Sequence, residues 1–134
     1  MREHLSADGA INTFLMTGAV SAYLNLSYNL YLLAHNLKVQ ERLIKRLKYI
    51  SQFRGAQYET YVASGFINAG FNLEIENEED KRTTHCEFTA ISKATGRKYS
   101  VEAKARQPSK KNVSIGNQLY NALKKKAKHE RVIF

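Results

Sequence analysis

Residues 86–105 read CEFTAISKATGRKYSVEAKA. Cys86–Ser92 and Arg97–Ala105 each alternate polar residues with β-favouring apolar ones, the signature of a strand. Between them, Lys93-Ala94-Thr95-Gly96 is a four-residue loop ending on glycine, the residue that takes a positive φ at least cost. The spacing predicts an antiparallel hairpin. Pairing Ser92 with Arg97 and counting away from the loop sets Glu87 opposite Glu102. Residues two apart on a strand share a face, so Glu102 and Lys104 project together while Val101, Ala103 and Ala105 face the other way. Cys86 likewise faces the core, as a buried thiol rather than a ligand. Two carboxylates directly opposite repel by about 0.2–1 kcal/mol. A neighbouring lysine or a bound cation relieves that cost.

Upstream, Phe71–Glu76 (FNLEIE) alternates apolar and polar residues and reads as a further strand. Arg54–Ala69 reads as a helix stopped by Gly70 at the position past the C-cap, after a short break at Ser51–Gly55. Lys38–Ile50 is another helix, with Val39, Leu43, Ile44, Leu47 and Ile50 inward and its Lys and Arg outward. No formal charge occurs from Gly9 to Leu37. That length could cross a bilayer, but Asn12, Asn25, Asn29 and Asn36 are costly in hydrocarbon. Apolar residues recurring every three or four positions predict instead one helix that packs on the domain or on another subunit. Tyr23, Tyr28 and Tyr31 are then packing residues. Downstream of the hairpin, Pro108 stops the strand, and Asn112–His129 forms a helix with Ile115, Leu119, Ala122 and Leu123 on its inner side. Arg131–Phe134 opens a last strand, which leaves open a core that is incomplete at its C-terminal end.

The chain has 134 residues, 43% of them hydrophobic and 25% charged, which excludes a wholly disordered or collagen-like protein. With 21 Lys and Arg against 12 Asp and Glu, the net charge of +9 points to an anionic partner, nucleic acid before an acidic membrane surface. The single cysteine excludes an internal disulfide and favours a reducing, cytoplasmic setting. Phosphate-loop, His-Glu-x-x-His and Cys-x-x-Cys patterns are absent, and His4, His35, His85 and His129 have no metal-ligand spacing.

Carboxylates on adjacent strands suit a hard divalent cation, Mg²⁺ or Mn²⁺, which takes substrate phosphate oxygens as further ligands. A lysine beside the ion could orient the attacking water. Glu59 is the only acid between Glu41 and Glu74 and sits midway along an otherwise apolar helix. Lys93, Arg97, Lys98, Arg106, Lys110 and Lys111 flank the hairpin as phosphate contacts. The run Lys124–Lys126 points round a helix, so all three cannot meet one groove. The plainer alternative for the whole set is a solvated hairpin face whose charges make weak surface pairs.

A helix with a central acid (RGAQYETYVASGF), a strand (FNLEIE), Cys86-Glu87-Phe88 and, after a glycine hairpin, Val-Glu-Ala-Lys-Ala-Arg together resemble the core of the PD-(D/E)XK nuclease superfamily over residues 53–134. The resemblance implies metal binding by Glu59, Glu87, Glu102 and the Ala103 carbonyl, and a water-assisting role for Lys104. It implies a substrate-side role for Gln118, with Asn117 as the reserve, and cleavage that leaves a 5′-phosphate. Two departures stand out. Glu87 replaces the usual Asp with no proline before it, and Gln118 is followed four residues later by Ala122 rather than tyrosine.

The expectation is therefore an α/β protein: a restriction-endonuclease-like mixed sheet flanked by helices, carrying an N-terminal helical extension over residues 1–52 for packing or oligomerisation. The expected function is Mg²⁺- or Mn²⁺-dependent endonucleolytic hydrolysis of DNA. The alternatives are an inactive nucleic-acid-binding module of the same fold, and a membrane-anchored or oligomerising interaction protein whose first helix mediates a homo-oligomer.

Overall fold

The computed structural model describes residues 16–75, 86–105 and 115–134 in full, together with the backbone of 2–5 and 11–14. Strands β1 (Arg2–Leu5) and β2 (Ile11–Phe14) form an antiparallel pair with Arg2 opposite Phe14. Helices α1 (Gly18–Leu32), α2 (Leu37–Leu47) and α3 (Ile50–Asn68) follow. Then come strands β3 (Phe71–Glu74), β4 (Phe88–Ser92) and β5 (Lys98–Glu102), helix α4 (Ile115–Lys124) and strand β6 (Glu130–Ile133). The larger sheet has the order β3-β4-β5-β6, antiparallel except for the parallel pair β5–β6. The protein is thus mixed α/β.

The single N-terminal helix expected over Gly9–Leu37 is corrected. Ile11–Phe14 is a strand, and the helix starts only after Thr17, whose extended backbone and side-chain oxygen cap it by accepting from Val20 N at 3.3 Å. Ile, Thr and Phe are β-favouring residues, and their propensity decides this short segment once a partner strand is present. No residue of α1 is buried, so the tyrosines expected to pack do not: Tyr23 is 70% and Tyr31 73% exposed. Among the described residues no helix is long and apolar enough to cross a membrane.

The break expected at Ser51–Gly55 is also absent. Only Lys48 and Tyr49 separate α2 from α3, and Gly55 lies within α3. A glycine in a helix costs about 1 kcal/mol, too little to stop a helix whose following turns, from Ala56 on, carry buried residues. Gly70 ends α3 as expected, at φ +84°, and its carbonyl accepts from Lys93 N at 3.0 Å, tying the helix end to the hairpin loop. Helix α4 ends at Lys124 rather than His129. Its last turn is closed by Arg131, whose guanidinium donates to the Leu123 carbonyl at 2.6 Å and to the Lys125 carbonyl. A cation here satisfies carbonyls that have no partner within the helix.

One core runs from the N-terminal helices into the sheet: Leu33, Val39 and Leu43 cluster with Ala56, Val62 and Ala63 of α3 and with Leu73, Phe88, Ala90, Val101 and Ala103. Phe66 meets Phe71, Phe88 and Phe134 edge to face, with ring centroids 5.3–5.9 Å apart. Cys86 is buried.

Candidate active site

The β4–β5 register is the one read from the sequence. Phe88 stands opposite Val101, as that register requires, but the ladder ends there. Glu87 lies just before β4 and its N donates to the Val101 carbonyl at 2.9 Å, so the pairing of Glu87 with Glu102 expected from the sequence is not continued, and the two acids meet through their side chains instead. Val101 and Ala103 turn into the core, which sends Glu102 and Lys104 to the opposite face. The main chain there is held further by β6: Phe134 N donates to the Glu102 carbonyl, and Lys104 N to the Phe134 carbonyl, both at 2.9 Å.

Glu102 has no solvent exposure at all. A buried carboxylate needs counter-charge, and two lysines supply it. Lys104 Nζ lies 2.5 Å from Glu102 Oε1, and Lys125 Nζ lies 2.8 Å from the same oxygen and 2.9 Å from Oε2. Lys125 also reaches Glu87 Oε1 at 3.2 Å, so one ammonium bridges the two carboxylates. The other side of Glu87 is held by Arg42, which donates to Oε2 at 2.6 Å and to the Glu87 carbonyl at 2.9 Å. Four residues on, Arg46 grips Glu59 with both terminal nitrogens, Nη2 to Oε1 at 2.8 Å, and comes within 3.8 Å of Glu87 Oε2. Residues 42 and 46 are one helical turn apart and share a face of α2.

Burial pushes the Glu59 carboxyl above its ordinary value; Arg46 opposes this and the charge of Glu87 reinforces it. Burial alone would lower Lys125 and Arg46. The hydrogen bond and charge of Glu102, with Glu87, raise Lys125, and those of Glu59, with Glu87, raise Arg46. Three carboxylates thus meet four cations, leaving one net positive charge.

The structure gathers Glu59, Glu87, Glu102 and Lys104 into this network, with Ala103 buried between the last two. The acids do not form one ligand set: among the described residues no three of His, Cys, Asp and Glu come together to hold a metal. Glu87 and Glu102 share a point, and Glu59 is turned onto Arg46. Lys93, Arg97 and Lys98 are exposed at the hairpin end of β4 and β5, away from the end that carries the acids. Gln118 is half-buried on α4, seven residues before Lys125. Arg106, Lys110 and Lys111 lie outside the described residues.

Arg42, Arg46 and Lys125 were not among the expected site residues. The sequence pattern turns the arginines of α2 to solvent, and the structure corrects this: a buried glutamate in an apolar helix demands a partner, and Arg46 supplies it while Arg42, one turn earlier, meets Glu87. Lys125 carries no such mark beside Lys124 and Lys126. No protein-family model, curated protein or solved structure matches this chain.

Proposed function

We propose that the chain is a divalent-metal-dependent nuclease of restriction-endonuclease-like architecture that hydrolyses DNA phosphodiester bonds. The observation that carries this reading is the pair of carboxylates Glu87 and Glu102, sharing one cation while Lys104 follows two residues after the end of β5. The order of elements supports it: an acid in α3, three antiparallel strands with one acid just before β4 and another at the end of β5, then a helix and a parallel strand.

The residues fit a hard cation. Oxygens of Glu87 and Glu102 already lie within 3.2 Å of a common point, which the Lys125 ammonium marks. Mg²⁺ asks for one or two carboxylates and fills its remaining positions with water and phosphate oxygens. Glu87 and Glu102 would hold it, with the Ala103 carbonyl and Glu59 as the further donors the resemblance implies. When bound, the ion would stabilise charge on the phosphoryl oxygens and acidify a water. Lys104 keeps a cationic donor beside that position and orients the water for attack. Arg42 and Arg46 hold Glu87 and Glu59 in fixed rotamers, so the carboxylates need not reorganise as charge develops. Lys125 holds the position that a bound ion would take, and would compete with it for Glu87 and Glu102.

The test is conversion of supercoiled plasmid with Mg²⁺ or Mn²⁺. Wild type should nick it, and Lys104→Ala and Glu102→Gln should not. Equal cleavage by wild type and Lys104→Ala discards the mechanism. One observation favours a second reading, a binding module of the same fold: every carboxylate of the cluster already has a cationic partner. That module would shift DNA mobility in a salt-dependent way and never cut.

A further inference from the structure

We infer that a groove between α1 and α3, leading away from Lys104, binds a single-stranded segment of nucleic acid. Arg54, Gln57, Tyr58 and Tyr61 of α3 are spaced three and four apart and so lie on one face. With Asn25 and Asn29 of α1 they line a hollow of 310 Å³. At the Arg54 end it meets a second hollow, of 560 Å³, bounded again by Arg54, Gln57 and Tyr58 and by Lys104. Three lining residues are common to both, so the hollows adjoin along α3, and the second reaches the lysine of the candidate active site.

The lining names its occupant. Its cation without an acidic partner among the described residues is Arg54, Lys104 at its end being paired with Glu102, and no carboxylate lines it. Arg54 is exposed, so its guanidinium is available to a phosphate. The ring of Tyr61 is 65% exposed, and Tyr58 stands half-buried one turn away. Aromatic faces beside a cationic track are the means by which proteins hold unpaired bases, because every base can stack and none need be read. Bases stacked within a duplex offer no free face, so the occupant is a single strand. From Arg54 to Tyr61 the helix rises about 10 Å, the span of about three stacked bases. The amides of Asn25, Asn29 and Gln57 supply donors and acceptors along it. This assignment deepens the nuclease reading and rests on it for Lys104 as the end of the track nearest the reacting phosphate. It also differs from the sequence expectation, which gave substrate contacts to the hairpin lysines.

The experiment is fluorescence anisotropy of an end-labelled 12-nucleotide DNA single strand, and of the same strand in a blunt duplex, in EDTA so that no cleavage occurs. Both altered residues are exposed, so Arg54→Ala and Tyr61→Ala keep the fold, checked by thermal melting. Each should weaken single-strand binding on the order of tenfold. Arg54→Ala should also lower the salt slope by about 0.7, whereas Tyr61→Ala leaves it unchanged and Tyr61→Phe restores affinity. The combined Lys93→Ala, Arg97→Ala, Lys98→Ala variant should lose less than Arg54→Ala alone. Unchanged affinity in both groove variants, or tighter binding of the duplex, overturns the inference. Plasmid cleavage by wild type alongside unchanged groove variants overturns the groove and leaves the nuclease standing. Groove-dependent binding without any cleavage does the reverse.

Discussion

Lys125 Nζ lies 2.8 Å from Glu102 Oε1, an oxygen of a carboxylate that has no exposure to solvent. The lysine comes from beyond the end of α4 and the glutamate from the end of β5. An internal ammonium therefore sits between Glu87 and Glu102, the two acids that would hold a divalent ion under the proposed function.

Replacing that ammonium should expose the competition. In Lys125→Met, Glu102 keeps Lys104 as its partner, so the fold survives at a cost of up to about 3 kcal/mol in the absence of metal. Mn²⁺ should then raise the melting temperature of the variant more than that of wild type, and calorimetry should show tighter Mn²⁺ binding. Equal Mn²⁺ shifts in the two proteins would show that the lysine does not compete. The Lys125 pKa is raised in the folded state. Its stabilising contribution is therefore complete below the ordinary lysine value of 10.5 and is lost only as pH rises above it. Alkaline unfolding of wild type should show that loss, and Lys125→Met should not.

Lys104→Ala separates chemistry from binding. The lysine is a third exposed and its partner Glu102 retains Lys125. Cleavage rates should fall about 10²- to 10⁴-fold, with the apparent Kd for plasmid DNA nearly unchanged. A parallel loss of affinity would make Lys104 a general phosphate contact instead.

The Arg46–Glu59 pair predicts a strongly non-additive cycle. Arg46→Ala strands a buried carboxylate and should cost about 3–5 kcal/mol. Arg46→Met combined with Glu59→Met removes both charges from a packed site and should cost far less. Urea titrations of the four proteins measure the coupling. Burial holds the Glu59 pKa above its ordinary value of 4.5, so the folded state binds that proton more tightly than the unfolded state. Its contribution to stability therefore falls as pH rises from 4.5 through the folded value. Without Arg46 the fall should be steeper, and additive single mutants with a flat pH profile would refute the pairing.

Two glycines of α3 and its end should respond to alanine with opposite sign. Gly70 holds φ +84° with open space around it, so Gly70→Ala loses about 1 kcal/mol through the backbone alone. Gly65 lies inside α3, also with open space, and Gly65→Ala should gain about 0.5–1 kcal/mol. Chemical denaturation reads both, and a stabilising Gly70→Ala would contradict the positive φ.

What the sequence determined by itself was local. A four-residue loop ending on Gly96 sets the hairpin register from Phe88 to Ile91, and that register carries Glu87 and Glu102 to the same end of the hairpin. Gly70 stops α3, and a two-residue period turns Glu102 and Lys104 to the same side. These features need only turn chemistry and strand geometry, which act over a few residues. Tertiary structure decided which charges answer the acids. Arg42 meets Glu87 across 45 residues of chain, and Lys125 meets it across 38. No periodicity distinguishes Lys125 from its neighbours, and the arginines of α2 read as a solvated face until α2 packs on α3. The hairpin of β1 and β2 and the bare tyrosines of α1 escaped for the same reason: an apolar segment records that it can be buried, and only its neighbours determine whether it is.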